Sequence, residues 1–145
     1  MAVTALLGAV VTYSFLNSKK KSAQKKKILA NEAAGIFRTI TVKIDGAVAF
    51  LTLDRPKKKN AFSKLMYKEL EKAIRTASKN EAIKVIMLTG NGDYYSSGND
   101  LSNFSEMKHP LTIAKEAREV LFSFVDSFIT CQKPIVVAVN GPAIG

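Results

Sequence analysis

The chain has 145 residues, of which 47% are hydrophobic and 23% charged, a composition that suits one packed domain and excludes wholesale disorder. Its single cysteine, Cys131, excludes an internal disulfide framework and indicates a reducing compartment. Its single histidine, His109, has no cluster of cysteines or carboxylates beside it in the sequence. We therefore expect neither a metal site nor a serine–histidine triad.

The net charge of +10 is concentrated near the N-terminus, where residues 1–27 carry six lysines and no acid. The remainder carries 16 basic and 12 acidic side chains and is only mildly cationic, which also suits a ligand with several phosphates. Nucleic-acid binding is the weakest functional hypothesis, because no aromatic residues are interleaved with the lysines of residues 19–27.

An apolar segment, residues 2–16, precedes these lysines. As a helix it would span roughly 22 Å, short of the ~30 Å hydrocarbon core, and its charges follow the apolar run rather than precede it as in a secretory signal. We predict that residues 1–36 form a targeting or anchoring extension and linker that contacts a membrane through residues 2–16. A solvated tail is the alternative. The folded domain is predicted to span residues 37–145.

The folded part opens with a hairpin signal, in which Asp45-Gly46 separates two strand-like runs, residues 39–44 and 47–53. Ser63 is a candidate N-cap for the helix that follows. The apolar face of that helix is expected to contain Met66, Leu70, Ala73, Ile74 and Ala77. Its charged side chains are expected mostly elsewhere, namely Lys64, Lys68, Glu69, Lys72 and Arg75.

Two further apolar runs, residues 83–88 and 135–139, are typical of strands buried on both faces of a parallel sheet. Between them a second helix is predicted, with Glu116 and Glu119 on or near its polar face. Its apolar face is expected to contain Ala117, Leu121, Phe124, Val125 and Phe128. This order of elements predicts an α/β fold with ligands bound at the carboxyl ends of the strands, where the loops of residues 89–101 and 140–145 begin.

The first of these loops contains Ser96, Ser97 and Gly98. Gly98 permits a backbone conformation in which a neighbouring N–H points at a ligand, and two such amides from two loops would form an oxyanion hole. Composition and periodicity alone favour the alternative, a plain strand-to-helix turn.

Four stretches resemble the enoyl-CoA hydratase/isomerase (crotonase) family in their order and spacing. They are residues 53–62 (LDRPKKKNAF), 85–90 (VIMLTG), 94–101 (YYSSGNDL) and 137–145 (VAVNGPAIG). The resemblance implies a ClpP/crotonase-like spiral of ββα units, incomplete at the C-terminus. Within the family, the Ser-Gly-Asn-Asp-Leu of residues 97–101 looks most like the Δ3,Δ2-enoyl-CoA isomerases, which include mitochondrial and peroxisomal members.

The resemblance implies a reaction of fatty acid β-oxidation that moves the double bond of an acyl-CoA from the 3,4 to the 2,3 position. The CoA thioester is the substrate, and no cofactor is implied. In this comparison the backbone N–H of Ser97 matches the first oxyanion donor. Gly98 shapes the loop, while Asp100 and Leu101 fix it and close over the ligand.

The lysine-rich loop matches the segment that lies along CoA, with lysines near phosphates and the Ala61 main chain facing the adenine; a solvated basic loop is the alternative. The substrate-binding residues implied in this way are Lys57, Lys59, Ala61, Ser96, Ser97, Gly98, Asn99, Asp100 and Leu101.

Further expectations concern what lies beyond Gly145. The resemblance places the second oxyanion donor, the catalytic glutamate and the helices of a homotrimer there, so these 145 residues alone are expected to be inactive and poorly soluble or partly folded. It also implies a mitochondrial or peroxisomal location. A hydratase relative and a non-catalytic, truncated binding module are the alternative functions.

Overall fold

The computed structural model describes residues 37–104 and 110–144. In that part the chain forms four strands, β1 (Ile40–Asp45), β2 (Val48–Leu53), β3 (Val85–Gly90) and β4 (Ile135–Ala138). It also forms two α-helices, α1 (Lys64–Lys79) and α2 (Pro110–Ile129). Short 3-10 helices lie at Pro56–Lys58 and Leu101–Phe104. The predicted extension of residues 1–36 and His109 lie outside the described residues.

The four strands form one sheet in the order β1-β2-β3-β4. Strands β1 and β2 are an antiparallel hairpin, and Gly46 takes a φ of +56° in the turn between them, as the Asp45-Gly46 pair predicts. The pairs β2–β3 and β3–β4 are parallel. The predicted α/β class is therefore confirmed, and the carboxyl ends of β2, β3 and β4 lie along one edge of the sheet.

Helix α1 provides most of the apolar cover of this sheet. The Ser63 side chain accepts a hydrogen bond from the Met66 N–H at 3.3 Å, so the predicted N-cap is confirmed. All five residues of the predicted apolar face of α1 are buried, against β-strand residues that include Leu51, Leu53 and Ile86. Burying each large apolar side chain stabilises the fold by about 1.5–3 kcal/mol.

Glu69 is buried, which contradicts the expectation that it lies away from the core face. Its carboxylate accepts hydrogen bonds from the Arg38 N–H at 2.8 Å, from the Thr39 N–H at 2.9 Å and from the Thr39 hydroxyl. These donors satisfy the carboxylate inside the protein. Glu69 thereby anchors the segment that enters β1 to the middle of α1.

Strands β3 and β4 are less covered than the sequence predicts, and both are shifted in their bounds. Strand β3 begins at Val85 rather than at Ile83, and β4 ends at Ala138 rather than at Val139. In β4, Val136 and Val137 remain 47% and 46% exposed. The reason is that α1 packs mainly against β1, β2 and β3, so the described elements leave much of β4 uncovered.

Helix α2 faces the core with a different side from the one predicted. Phe124 and Phe128 pack against the core as expected, but Leu121 and Val125 are 51% and 45% exposed. Ser127 is buried instead, and its hydroxyl donates to the Phe124 carbonyl at 2.6 Å. Ala117, also assigned to the apolar face, is exposed.

Helix α2 also contacts α1 through a polar junction. Arg75 bonds to Asp126 of α2 at 2.8 Å and to Glu71 of its own helix at 3.0 Å. The Ser123 hydroxyl donates to the same Glu71 carboxylate at 2.6 Å. Glu116, expected on or near the polar face, is half-buried and lies 3.6 Å from the Lys64 ammonium group. Hydrophobic periodicity does not report such polar pairs.

Within the described ranges, no helix has the length and apolar character needed to cross a membrane. The predicted membrane contact concerns residues 2–16, which are outside those ranges.

The Glu69→Gln variant of the full-length gene product is expected to lose about 1–3 kcal/mol of unfolding free energy. A glutamine offers one oxygen where the carboxylate uses both, so an NH₂ group would face a backbone N–H. Urea-induced unfolding measures the loss. Glu81→Gln, at an exposed position, is the matched control and should change stability by less than about 0.5 kcal/mol. Equal stabilities of the two variants would contradict the anchoring role of Glu69.

Candidate functional site

Three loops meet where the parallel strands end. Loop A (residues 54–63) follows β2, loop B (residues 91–100) follows β3, and loop C (residues 139–144) follows β4. Loop B lies between the other two: it forms a parallel bridge with loop A at Phe62 and Asn99, and another with loop C at Ser96 and Ala143. The predicted position of a site, at the carboxyl ends of the strands, is where the described chain brings its glycine-bearing loops together.

The buried side chain of Asn60 connects loops A and B by hydrogen bonds. It is fully buried, accepts from the Arg55 N–H at 2.9 Å, and donates to the Asn91 and Tyr94 carbonyls at 2.9 and 2.8 Å. The side-chain oxygen of Asn60 thus accepts one hydrogen bond, and its NH₂ group donates two. The backbone of Asn60 has a φ of +52°, in the left-handed region that asparagine tolerates better than most residues.

Loop C approaches loop B so closely that glycine is required. A Cβ atom on Gly141 would lie 2.1 Å from the Asp93 carbonyl oxygen. Next to it, the Asn140 side chain accepts from the Gly90 N–H at 3.0 Å and donates to the Gly92 carbonyl at 2.8 Å. Glycine and asparagine therefore position this junction by close approach and by side-chain hydrogen bonds to backbone groups.

Ser96 is the contact point of all three loops. It is buried, and its hydroxyl donates to the Asn60 carbonyl of loop A at 3.1 Å while accepting from the Gly98 N–H at 3.0 Å. Its own N–H donates to the Pro142 carbonyl of loop C, and its carbonyl accepts from the Ile144 N–H. Gly98 has a φ of +85°, so the predicted need for glycine at this position is confirmed.

The Ser97 N–H, predicted to be the first oxyanion donor, is occupied in this structure, because it donates to the Lys59 carbonyl at 2.9 Å. A ligand would have to break that bond. The peptide that joins Gly98 to Asn99 is arranged differently, because its carbonyl, that of Gly98, accepts from the Phe62 N–H at 2.8 Å. In a trans peptide the N–H points opposite to the carbonyl, so the Asn99 N–H points away from loop A. No described group accepts from it, and Asn99 is exposed.

Asp100 holds the end of loop B. Its carboxylate accepts from the Ser102 N–H at 3.0 Å and pairs with the Arg55 guanidinium at 2.9 Å. These contacts, the Ser102 N–H first and Arg55 after it, lower the pKa of the Asp100 carboxyl below its usual value. The same guanidinium donates to the Ala61 carbonyl, so Arg55 links loop A to the end of loop B.

The lysines of loop A are exposed, as a contact with an anionic ligand requires. Lys57 is solvent-exposed, and the Lys59 ammonium group lies 4.8 Å from the centroid of the Tyr94 ring. The Ala61 main chain is less free than the expected adenine contact supposes, because its N–H donates to the Lys58 carbonyl and its carbonyl accepts from Arg55. A second lone pair on that carbonyl remains for a ligand.

Leu101, predicted to close over a ligand, is 82% exposed and packs against little of the described chain. Asn103, two residues on, is the stronger contact: it accepts from the Lys64 N–H at 2.9 Å and donates to the Phe62 carbonyl at 2.8 Å. Sequence reasoning missed Arg55, Asn60, Asn103 and Asn140. Only Asn140 carries a local signal, because it precedes Gly141-Pro142 directly after a strand.

Within the described ranges, no three histidine, cysteine or acidic side chains are grouped as a metal would require. A cavity of about 80 Å³ lies beside Asn99, between α1, the 3-10 helix at Leu101–Phe104, and α2.

Comparison with known proteins decides the family. The sequence profile of the enoyl-CoA hydratase/isomerase family matches residues 43–145. The chain belongs to the enoyl-CoA hydratase/isomerase family. It is 44% identical over 112 residues to human "Enoyl-CoA delta isomerase 2", covering 75% of this chain and 28% of that protein. It is 36% identical over 143 residues to mouse "Enoyl-CoA delta isomerase 3, peroxisomal", covering 98% of this chain and 45% of that protein.

The crotonase fold is matched by solved structures as well. An enoyl-CoA hydratase/carnithine racemase from Magnetospirillum magneticum superposes with a TM-score of 0.68 and 30% sequence identity, covering 73% of this chain and 40% of that one. The four-stranded sheet and its helices are thus part of a crotonase fold. The chain spans less than half the length of each of these relatives.

The Asp100→Asn variant of this enoyl-CoA hydratase/isomerase family member is expected to be less stable at neutral pH, with a difference that shrinks in acid. Because the folded-state pKa of Asp100 is lowered, its stabilisation is complete above the unfolded pKa of about 3.9 and is lost as pH falls through the lower folded value. Thermal unfolding of wild type and variant at pH 7 and near pH 3 measures this. Asp93→Asn, exposed on the same loop, is the control. A difference that persists undiminished in acid would contradict this account.

Proposed function

We propose that this chain supplies part of the CoA-thioester site of a Δ3,Δ2-enoyl-CoA isomerase of fatty acid oxidation. The observation that carries the proposal is the Asn99 N–H, which belongs to an exposed residue, donates to no described group and is oriented by the Phe62–Gly98 hydrogen bond. It lies in a loop of a family member whose relatives include delta isomerases at 36–44% identity.

In the proposed reaction the Asn99 N–H donates a hydrogen bond to the thioester oxygen. A base removes a proton from the carbon next to the thioester carbonyl, and the electrons of that C–H bond form the enolate, conjugated with the 3,4 double bond. The same proton is then delivered to carbon 4, which leaves the double bond between carbons 2 and 3. The donor matters because charge develops on the oxygen in the transition state rather than in the substrate.

The rest of the machinery is assigned to the chain beyond Gly145. The base is proposed to be a glutamate there, and the second oxyanion donor to be the residue that follows Gly145. Loop C supports this placement, since the Ile144 N–H is bonded to the Ser96 carbonyl and the continuing chain therefore starts beside loop B. Lys57 and Lys59 are proposed to lie near the phosphates of CoA, since both are exposed cations on the adjoining loop.

Location and assembly belong to the same proposal. We infer a mitochondrial or peroxisomal protein, a proposal supported by the word "peroxisomal" in the name of the mouse relative. A homotrimer is proposed for the full-length protein. The exposed apolar side chains of β4 and α2, among them Val136, Val137 and Ile129, are consistent with further packing in such an assembly.

The full-length gene product is expected to convert 3-hexenoyl-CoA to 2-hexenoyl-CoA. The conversion is followed by the ultraviolet absorbance that appears when the double bond becomes conjugated with the thioester. A hydratase would instead remove that absorbance from 2-hexenoyl-CoA by adding water. If calorimetry shows that hexanoyl-CoA binds but neither reaction occurs, the isomerase proposal is wrong and the non-catalytic binding module takes its place.

Replacing single backbone amides by esters tests the donor directly. An ester at residue 99 removes the Asn99 N–H, and we expect kcat to fall about a hundredfold to a thousandfold with little change in KM. An ester at residue 97 removes an N–H that is bonded to the Lys59 carbonyl, so it should lower the melting temperature while changing kcat much less.

The two esters are well matched, because each also weakens one carbonyl acceptor. The ester at 99 weakens the Gly98 carbonyl, which accepts from the Phe62 N–H. The ester at 97 weakens the Ser96 carbonyl, which accepts from the Ile144 N–H. A large kcat loss at 97 with none at 99 would return the donor role to Ser97.

A further inference from the structure

The cavity beside Asn99 has a floor that the proposed reaction does not use. It holds about 80 Å³ and is lined by Lys64, Tyr67, Asn99, Asn103, Phe104 and Leu121, among others. One end is therefore formed by the residue whose N–H is the proposed oxyanion donor. The acyl group of a thioester bound at that N–H would therefore start next to a residue that lines the cavity.

Tyr67 separates this cavity from the aromatic part of the core. Its ring lies 5.1 Å from the Phe62 ring and 5.1 Å from the Phe124 ring, centroid to centroid. Phe124 in turn packs edge-on against Phe128, with centroids 5.0 Å apart. The Tyr67 ring thus belongs both to the cavity lining and to a cluster of packed aromatic side chains.

Tyr67 also carries a polar hydroxyl. Burial raises the pKa of Tyr67, so the hydroxyl stays neutral at physiological pH. No described group is hydrogen-bonded to it.

We propose that Tyr67 sets the depth of the acyl pocket and restricts the enzyme to acyl groups that end at its ring. The inference rests on the proposed function and specifies its substrate class. The size of the cavity supports it: a cavity of about 150 Å³ accommodates a benzene molecule, so 80 Å³ holds a few methylene groups. Short 3-enoyl-CoA thioesters are therefore the favoured substrates.

The test compares kcat/KM for 3-hexenoyl-CoA and 3-dodecenoyl-CoA in the full-length gene product and its variants. In Tyr67→Ala the space of the ring becomes available, and we expect the ratio of the long to the short substrate to rise about tenfold or more, because each buried methylene contributes about 0.8 kcal/mol. Tyr67→Phe keeps the ring and loses the hydroxyl, so it should raise the ratio by about threefold or less. Tyr67→Leu is an alternative if the alanine variant fails to fold.

Phe128→Ala is the matched control. It removes a ring from the same aromatic cluster, but Phe128 is not among the residues that line the cavity. It should lose stability and keep the wild-type ratio. A ratio that is unchanged in both Tyr67→Ala and Tyr67→Leu, or one that rises equally in Phe128→Ala, would overturn the proposal.

The proposed function and this inference can fail separately. If the wild-type protein isomerises neither thioester, the proposed function is wrong, and calorimetry with hexanoyl-CoA and dodecanoyl-CoA then decides the role of Tyr67 by binding alone. A tenfold gain of Tyr67→Ala for the longer saturated thioester supports the depth role. An equal affinity of wild type and variant for both thioesters overturns it.

Discussion

The buried amide of Asn60 is the interaction on which the geometry of the loops depends. Three backbone groups, the Arg55 N–H and the Asn91 and Tyr94 carbonyls, are hydrogen-bonded to it. Each of them would lose a partner without this side chain. A side chain with two donors and an acceptor in one plane is what these positions require, which explains an asparagine at a left-handed backbone position. The shapes of loops A and B are therefore set together.

Two glycines extend this constraint to loop C. Gly90 and Gly141 lie where backbone meets backbone, and a Cβ atom at either would come within 2.9 Å of a carbonyl oxygen of loop B. The three loops consequently pack as a layer of paired backbone, with Ser96 as the residue that bonds to each of them. Such a layer has little freedom to adjust when a ligand arrives, and that rigidity is what an oxyanion donor needs.

The sequence predicted those parts of the structure that depend on burial and on local turn chemistry. The hairpin at Asp45-Gly46 and the apolar face of α1 follow from periodicity and from glycine's conformational freedom. Hydrogen bonds between distant segments could not be read in this way: the buried Glu69 accepts from the chain before β1, and Arg75 of α1 pairs with Asp126 of α2. Periodicity reports which residues avoid water, and it carries no information about which polar groups find partners.

The donor in loop B shows how the same limit affects the site. A motif locates the loop, but which of its amides is free depends on which carbonyls and N–H groups of loop A lie opposite. Because the Phe62 N–H binds the Gly98 carbonyl, the peptide that joins Gly98 to Asn99 must direct its N–H outward, whereas the Ser97 N–H is directed at Lys59. Strand β2 and helix α1 fix the position of Phe62 between them. The direction of the proposed catalytic N–H thus depends on Phe62, a residue outside loop B that packs against the hydrophobic core.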